Sequence, residues 1–155
     1  MSVDAGRGLV FLPTSSPSAD SCGGLRPGAN EDASSVVALR AADGTLAWAF
    51  QIVKHDLWDY DVPAQPTLAR LTIAGGPRDV VVQATKQGMV FVLDRDTGVP
   101  AFAVEERAVP QGGAPGEVLS PTQTFASDMP ALVPSTPTAP SCGAADFRPR
   151  RWRRR

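Results

Sequence analysis

Two stretches of this chain superpose at a constant offset of 54 residues, and that repeat restricts its fold more than any other feature. Val36-Val37-Ala38-Leu39-Arg40-Ala41-Ala42-Asp43-Gly44-Thr45-Leu46-Ala47-Trp48 aligns with Val90-Phe91-Val92-Leu93-Asp94-Arg95-Asp96-Thr97-Gly98-Val99-Pro100-Ala101-Phe102. Each stretch is a β-forming run, a tight Asp/Gly turn and a second run with an aromatic near its start. Asp43-Gly44 suits a turn with positive φ and Asp96-Thr97-Gly98 a slightly longer one, so both read as hairpins. A strand-built period of about 50 residues is the period of propeller blades of about four strands each. The aromatic at the repeat position, Trp48 or Phe102, is expected to pack between neighbouring blades.

Composition supports an all-β fold. Fifteen Pro and 14 Gly against 6% aromatic residues describe short elements joined by turns, with no room for long amphipathic helices. Strands are expected at 8–12, 36–40, 46–52, 67–73, 80–84 and 89–94, and the continuous run Val80-Val81-Val82 predicts a strand buried on both faces. Residues 1–105 therefore read as two blades, divided near residue 52. Residues 106–134 read as a long Pro-rich loop without periodicity, and 135–155 as a disordered tail. A blade buries its faces only against its neighbours, and a closed ring takes at least about four, so the chain reads as part of a larger propeller.

Charge excludes some functions. Before Arg148 the chain has 16 acids and nine bases, while its last eight residues hold six Arg. Such a tail can contact phosphates, but no basic patch or nucleic-acid module precedes it, so nucleic acid is not an expected partner. Cys22 and Cys142 lie far apart without metal-ligand spacing, which leaves a disulfide open. There is no signal-peptide pattern and no apolar run of the ~20 residues that a membrane helix needs. Nucleophile-elbow, zinc-peptidase, P-loop and dinucleotide motifs are absent.

The chemistry concentrates in His55-Asp56-Leu57-Trp58-Asp59-Tyr60-Asp61-Val62-Pro63-Ala64-Gln65-Pro66, where three carboxylates, the only His and two aromatics fall within seven residues. Strands exclude clustered Asp and Pro, so this is a loop leaving a strand, with acids held against aromatic walls. Spacing alone does not choose among Asp56, Asp59 and Asp61 as a general base. Alternation in an extended segment puts Asp59 and Asp61 on one side and Tyr60 on the other. His55 reads as a positioning or structural residue. Lys86 is one of two lysines and stands at the end of a strand, in Ala84-Thr85-Lys86-Gln87-Gly88, where an ammonium can stabilise negative charge developing on a bound group. Glu105 and Glu106 read as a solvated strand end.

The His55–Pro66 loop, the Lys86 segment and the flanking repeats resemble the quinoprotein dehydrogenases that use pyrroloquinoline quinone, in their membrane-bound glucose, quinate and shikimate branch. The likeness runs from about Gly6 to Val133. It implies an eight-bladed propeller of which this chain supplies about two blades, and oxidation of a sugar or cyclic polyol by hydride transfer to the quinone. It also implies calcium or magnesium as a second cofactor, ubiquinone as electron acceptor, and a location on the periplasmic side of the inner membrane. The Asp after Trp is the family's base, which maps onto Asp59, and Lys86 would contact the quinone oxygens. Leu12-Pro13-Thr14-Ser15-Ser16-Pro17-Ser18-Ala19-Asp20 resembles a loop that supplies the cofactor or its cation. It lacks the family's Asn, so a hydroxyl from Thr14, Ser16 or Ser18 is expected to serve, with Thr14 and Ser16 assigned to the cofactor. Ser is a poor ligand for a hard cation, and the main metal ligands are expected upstream of Met1. The free chain is not expected to hold the cofactor alone. The alternative is a cofactor-free propeller repeat that binds other proteins, which shares the hairpins but has no need of the acid-rich loop.

Overall fold

The computed structural model describes residues 1–20 and 22–133 and consists of three antiparallel sheets. The first is a meander of four strands hydrogen-bonded in chain order: β1 (Ser2–Asp4), β2 (Leu9–Pro13), β3 (Ser35–Arg40) and β4 (Leu46–Gln51). The second contains β5 (Thr67–Ile73), β6 (Gly76–Ala84) and β7 (Val90–Asp94), with a further bridge from Leu93 to Pro100. β8 (Val104–Ala108) and β9 (Thr122–Ala126) form the third. Among the described residues the one helical element is a single 3-10 turn at Gly23–Leu25. No helix there is long and apolar enough to cross a membrane.

The 54-residue repeat is structural down to its hydrogen bonds. In the first turn Arg40 N donates to Thr45 O and Gly44 N to Arg40 O, both at 2.8 Å. In the second, Asp94 N donates to Val99 O and Gly98 N to Asp94 O, again at 2.8 Å. Gly44 and Gly98 adopt φ of 74° and 72°, which explains why glycine recurs at this point. An Asp caps each turn, Asp43 accepting from Thr45 and Asp94 from Thr97.

The two larger sheets share one core. Leu9, Phe11, Val36, Ala38 and Trp48 from the first interlock with Val81, Phe91 and Leu93 from the second, and Ile52, Val53 and Val62 of the connecting loop join them. Trp48 reaches across as the repeat predicts: its indole N–H donates to Arg95 O at 3.1 Å, and its ring lies over Gly98. Val80 and Val81 are both fully buried although they point to opposite faces of β6. At the rim, Arg7 in the β1–β2 turn pairs with Asp4 (3.1 Å), Asp79 on β6 (2.8 Å) and Asp96 (2.7 Å). Arg95 also reaches Asp4 (3.0 Å), and Arg70 pairs with Asp79 (2.6 Å). Hydrogen bonds from Arg70 and then Arg7 hold the Asp79 carboxyl well below the usual carboxylate range.

Three features differ from the sequence reading. The strand expected at 80–84 begins at Gly76, because Ala74 and Gly75 at φ 51° and 80° form a two-residue turn that folds β6 directly onto β5. Pro77 fits there because β7 pairs only with residues 80–84 of β6. β1 went unpredicted, being three residues long. The segment 106–134, expected as a loop, carries the end of β8 and all of β9. Thr122-Gln123-Thr124-Phe125-Ala126 shows no apolar alternation because its buried residues are polar. Gln123 exchanges hydrogen bonds with the Lys54 backbone (2.9 and 2.6 Å), and the Thr124 hydroxyl donates to Glu106 (3.1 Å). Glu106 also pairs with Lys54 at 2.8 Å, so it is more than a solvated strand end. Cys22 is exposed. The expected disorder of 135–155, the Arg-rich end and any pairing of Cys142 lie outside the described residues.

Candidate active site

The acid-rich segment is the connection from β4 to β5, and most of its length is fastened from outside. Ile52 N and Val53 N donate to Ser34 O (3.0 and 3.3 Å), His55 N to Ala29 O (3.0 Å) and Val62 N to Thr14 O (3.2 Å). Gln83, fully buried on β6, donates to Ala64 O at 3.0 Å. A loop held this way keeps its side chains at fixed positions, which loops with free backbones do not. His55 and Asp59 adopt φ of 47° and 56°, a left-handed conformation uncommon outside glycine that persists where surrounding contacts determine it.

Alternation divides the loop into two faces. Asp59 and Asp61 line a cleft of about 300 Å³ whose opposite wall is Ser15, Ser16, Ser18 and Asp20. Trp58 and Tyr60, with ring centroids 6.0 Å apart, line a larger apolar cavity of about 730 Å³ on the other side, together with Met89, Phe125 and Val133.

Lys86 enters from the β6–β7 turn, closed by Thr85 N donating to Met89 O (3.0 Å) and Gly88 N to Thr85 O (3.1 Å). Its ammonium donates to Asp59 O (2.8 Å) and Asp59 Oδ2 (3.2 Å) and forms an ion pair with Asp61 Oδ1. The structure thus brings Asp59 and Lys86, 27 residues apart in the chain, into direct contact. Asp61 above all, opposed by partial burial and helped by Asp59, holds Lys86 above the usual lysine range, so it stays charged at any working pH.

The remaining expected residues are placed as follows. Ser16 lines the cleft, and its hydroxyl donates to Asp56 Oδ2 at 2.5 Å. Thr14 does not line it: its hydroxyl donates to Asp32 O (2.7 Å) and accepts from Ser35 N (2.8 Å), stitching the end of β2 to the start of β3. His55 is buried, with Nδ1 2.7 Å from Gly28 O. Asp56 is buried and takes part in loop hydrogen bonding. Asp61 reads from sequence as a loop hydrogen-bonding residue, and in the structure it pairs with Lys86.

Two participants escape sequence reasoning. Ser34 donates to Asp56 Oδ2 (3.0 Å), and the buried Arg26 guanidinium donates to Asp56 O (2.7 Å) and Ala19 O (3.0 Å). Neither belongs to a recognisable motif, and both act over 22 residues or more on Asp56. Among the described residues no three His, Cys, Asp or Glu side chains converge as metal ligands.

This arrangement puts a carboxylate able to receive a proton on the cleft and holds a fixed positive charge, Lys86, directly against it. The sequence matches the profile of a family described as PQQ: Glucose/ethanol/alcohol dehydrogenase, beta-propeller domain, over residues 1–154. The quinoprotein glucose dehydrogenase of Escherichia coli (strain K12) is 47% identical over 123 residues, which is 79% of this chain and 16% of that protein. The quinate/shikimate dehydrogenase (quinone) of Acinetobacter baylyi is 40% identical over 134 residues, 85% of this chain and 17% of that protein. Among solved structures, the quinohemoprotein alcohol dehydrogenase from Comamonas testosteroni superposes with a TM-score of 0.61 at 31% identity, covering 81% of this chain and 18% of that one. The chain thus spans about a sixth of the length of the relatives it matches.

Proposed function

This chain belongs to the family of pyrroloquinoline-quinone dehydrogenase β-propeller domains, and from that premise we propose that it forms the base-bearing part of an enzyme oxidising a sugar or cyclic polyol. The observation that supports this most is the contact of Lys86 Nζ with Asp59, at 2.8 Å to its carbonyl and 3.2 Å to its carboxylate. When bound, pyrroloquinoline quinone supplies the two-electron acceptor for the hydride.

The residues present suit such a group on its acceptor side. Lys86 donates to Asp59 O and Asp59 Oδ2 and is ion-paired with Asp61 Oδ1. The carbonyl of Asp59 and the carboxylate of Asp61 hold the ammonium in place. The 3.2 Å contact with Asp59 Oδ2 is its longest hydrogen bond, and it is the one a quinone oxygen would replace. With Lys86 donating to a bound quinone instead, the Asp59 carboxylate would be free to take the proton of a substrate hydroxyl. Ser16 Oγ, already donating to Asp56, keeps lone pairs for a ligand in the cleft. Thr14 supports the strand that carries this wall.

Among the described residues no three His, Cys, Asp or Glu side chains converge; calcium or magnesium is ascribed to ligands outside them, and no step here depends on it. The names of the relatives favour glucose or quinate as substrate classes. Ubiquinone as electron acceptor and a periplasmic position of the membrane enzyme complete the reading.

The test is a chimera in which the matching segment of the Escherichia coli glucose dehydrogenase is replaced by this chain's residues. Quinone-dependent oxidation of glucose or quinate, coupled to ubiquinone reduction in membranes, is expected. Lys86→Ala in that chimera is expected to weaken cofactor binding by about tenfold or more, the worth of a charge-assisted hydrogen bond. A chimera that folds, binds the quinone and oxidises no alcohol contradicts the reading.

A further inference from the structure

Asp56 is buried, 1% exposed, and among the described residues no cation is paired with its carboxylate oxygens. Burying such a charge is costly unless hydrogen bonds replace the lost water. Here three do so: Oδ2 accepts from Ser16 Oγ (2.5 Å) and Ser34 Oγ (3.0 Å), and Oδ1 accepts from Trp58 N (2.9 Å). Hydrogen bonds to an ionised acceptor are roughly twice as strong as neutral ones.

The partners are arranged to a purpose that a turn cap does not need. Ser16 belongs to one wall of the Asp59 cleft, and Trp58 immediately precedes Asp59 on the other. Ser34 lies immediately before β3, and its carbonyl receives Ile52 N and Val53 N where the acid-rich loop begins. One buried carboxylate therefore links both walls of the cleft to the sheet beneath them. Arg26 fixes the same node from behind, joining Asp56 O to Ala19 O near the far end of the serine wall. Just beyond the Trp58 amide, the chain takes the left-handed conformation at Asp59 that turns its carbonyl and carboxylate onto Lys86.

We propose that Asp56 is a positioning residue, whose buried carboxylate sets the distance between the serine wall and the Asp59–Asp61 wall and thereby holds Asp59 against Lys86. Ser16 acts in this first through Asp56, as the link to the opposite wall. The importance of this placement for oxidation rests on the reading of Asp59 and Lys86 given above, but the placement itself can be measured with no cofactor or substrate present.

The experiment uses the full 155-residue chain. The rate of Lys86 acetylation by acetic anhydride, followed by mass spectrometry, reports how firmly Asp59 and Asp61 hold the ammonium. Hydrogen exchange of the Trp58 amide reports the loop, and exchange of the Trp48 indole N–H, bonded to Arg95 O, reports the fold outside it. Asp56→Ala is expected to raise Lys86 acetylation and Trp58 exchange about tenfold, the factor of one charge-assisted hydrogen bond, with Trp48 exchange unchanged. Asp56→Asn keeps an acceptor for Trp58 N and is expected to stay within about twofold of the parent chain. Unchanged Lys86 acetylation in a folded Asp56→Ala chain overturns the proposal. If that variant loses Trp48 protection as well, Ser16→Ala decides: a rise of about threefold or more in Lys86 acetylation supports it, and a parental rate overturns it. None of these outcomes depends on quinone chemistry, so failure of the oxidation reading in the chimera is a separate result.

Discussion

Asp59 and Lys86 illustrate how a contact between two side chains depends on the conformation of single backbone positions. Asp59 presents both its carbonyl and its carboxylate to one ammonium because its φ is 56°. The same dependence is testable at the turns of the repeat, where Gly44 and Gly98 occupy equivalent positions with φ of 74° and 72°. A methyl group at Gly44 meets nothing within 4 Å, so Gly44→Ala is expected to lose only the backbone preference, about 1–2 kcal/mol. At Gly98 the methyl would sit 2.6 Å from the Trp48 ring, so Gly98→Ala is expected to cost about 1–3 kcal/mol more. Urea unfolding of the two variants measures the difference. Equal losses would mean that Trp48 does not pack tightly across the two sheets. Residues of this kind were partly legible in the sequence. Asp59 and Lys86 stood out because their segments carry a recognisable pattern, and Trp48 because it sits at the repeat position. The pairing of Asp61 with Lys86, and the roles of Ser34 and Arg26, were not legible, because each is a contact between residues with no local signature.

Strands were read where the apolar pattern was strong and lost where burial is polar. β5 was placed with its observed limits and β3, β4 and β7 to within a residue, since their apolar runs are bounded by turn residues. β9 was missed because Gln123 and Thr124 satisfy their buried polar groups through Lys54 and Glu106, a compensation invisible without the partner. The joint between the two main sheets has a similar character: apolar at the centre and ionic at the rim, where Arg7 and Arg70 converge on Asp79. Because these guanidinium groups depress the folded-state pKa of Asp79 below its ordinary 3.8, the ionised carboxylate favours the folded chain. That contribution is present above pH 3.8 and disappears as the pH falls below it. Asp79→Asn is therefore expected to lower the melting temperature near neutral pH and to flatten the acid limb of a plot of melting temperature against pH. A variant that tracks the parent chain at every pH would show that the rim network does not stabilise the joint.

At the scale of the molecule, a repeat of 54 residues, a core shared by two sheets and an acid-rich loop between them make a partial β-propeller. The chain covers 16% of its Escherichia coli relative, and its candidate base and cation both lie within the matched region. Fold class could be inferred from the period alone, whereas the chemistry required the resemblance, because three carboxylates within six residues offer no internal reason to prefer one. The structure distinguishes them by exposure: Asp56 is buried, while Asp59 and Asp61 both contact Lys86, the Asp59 side chain being 64% exposed and that of Asp61 23%. The most direct measurement is the turnover of Asp59→Asn in the chimera with the Escherichia coli enzyme, with bound quinone quantified in the same preparation by its absorbance. Loss of a general base predicts full quinone occupancy with turnover lowered by roughly 2–4 orders of magnitude. Turnover within a few-fold of the parent chimera at full occupancy would contradict the assignment of Asp59 as the base.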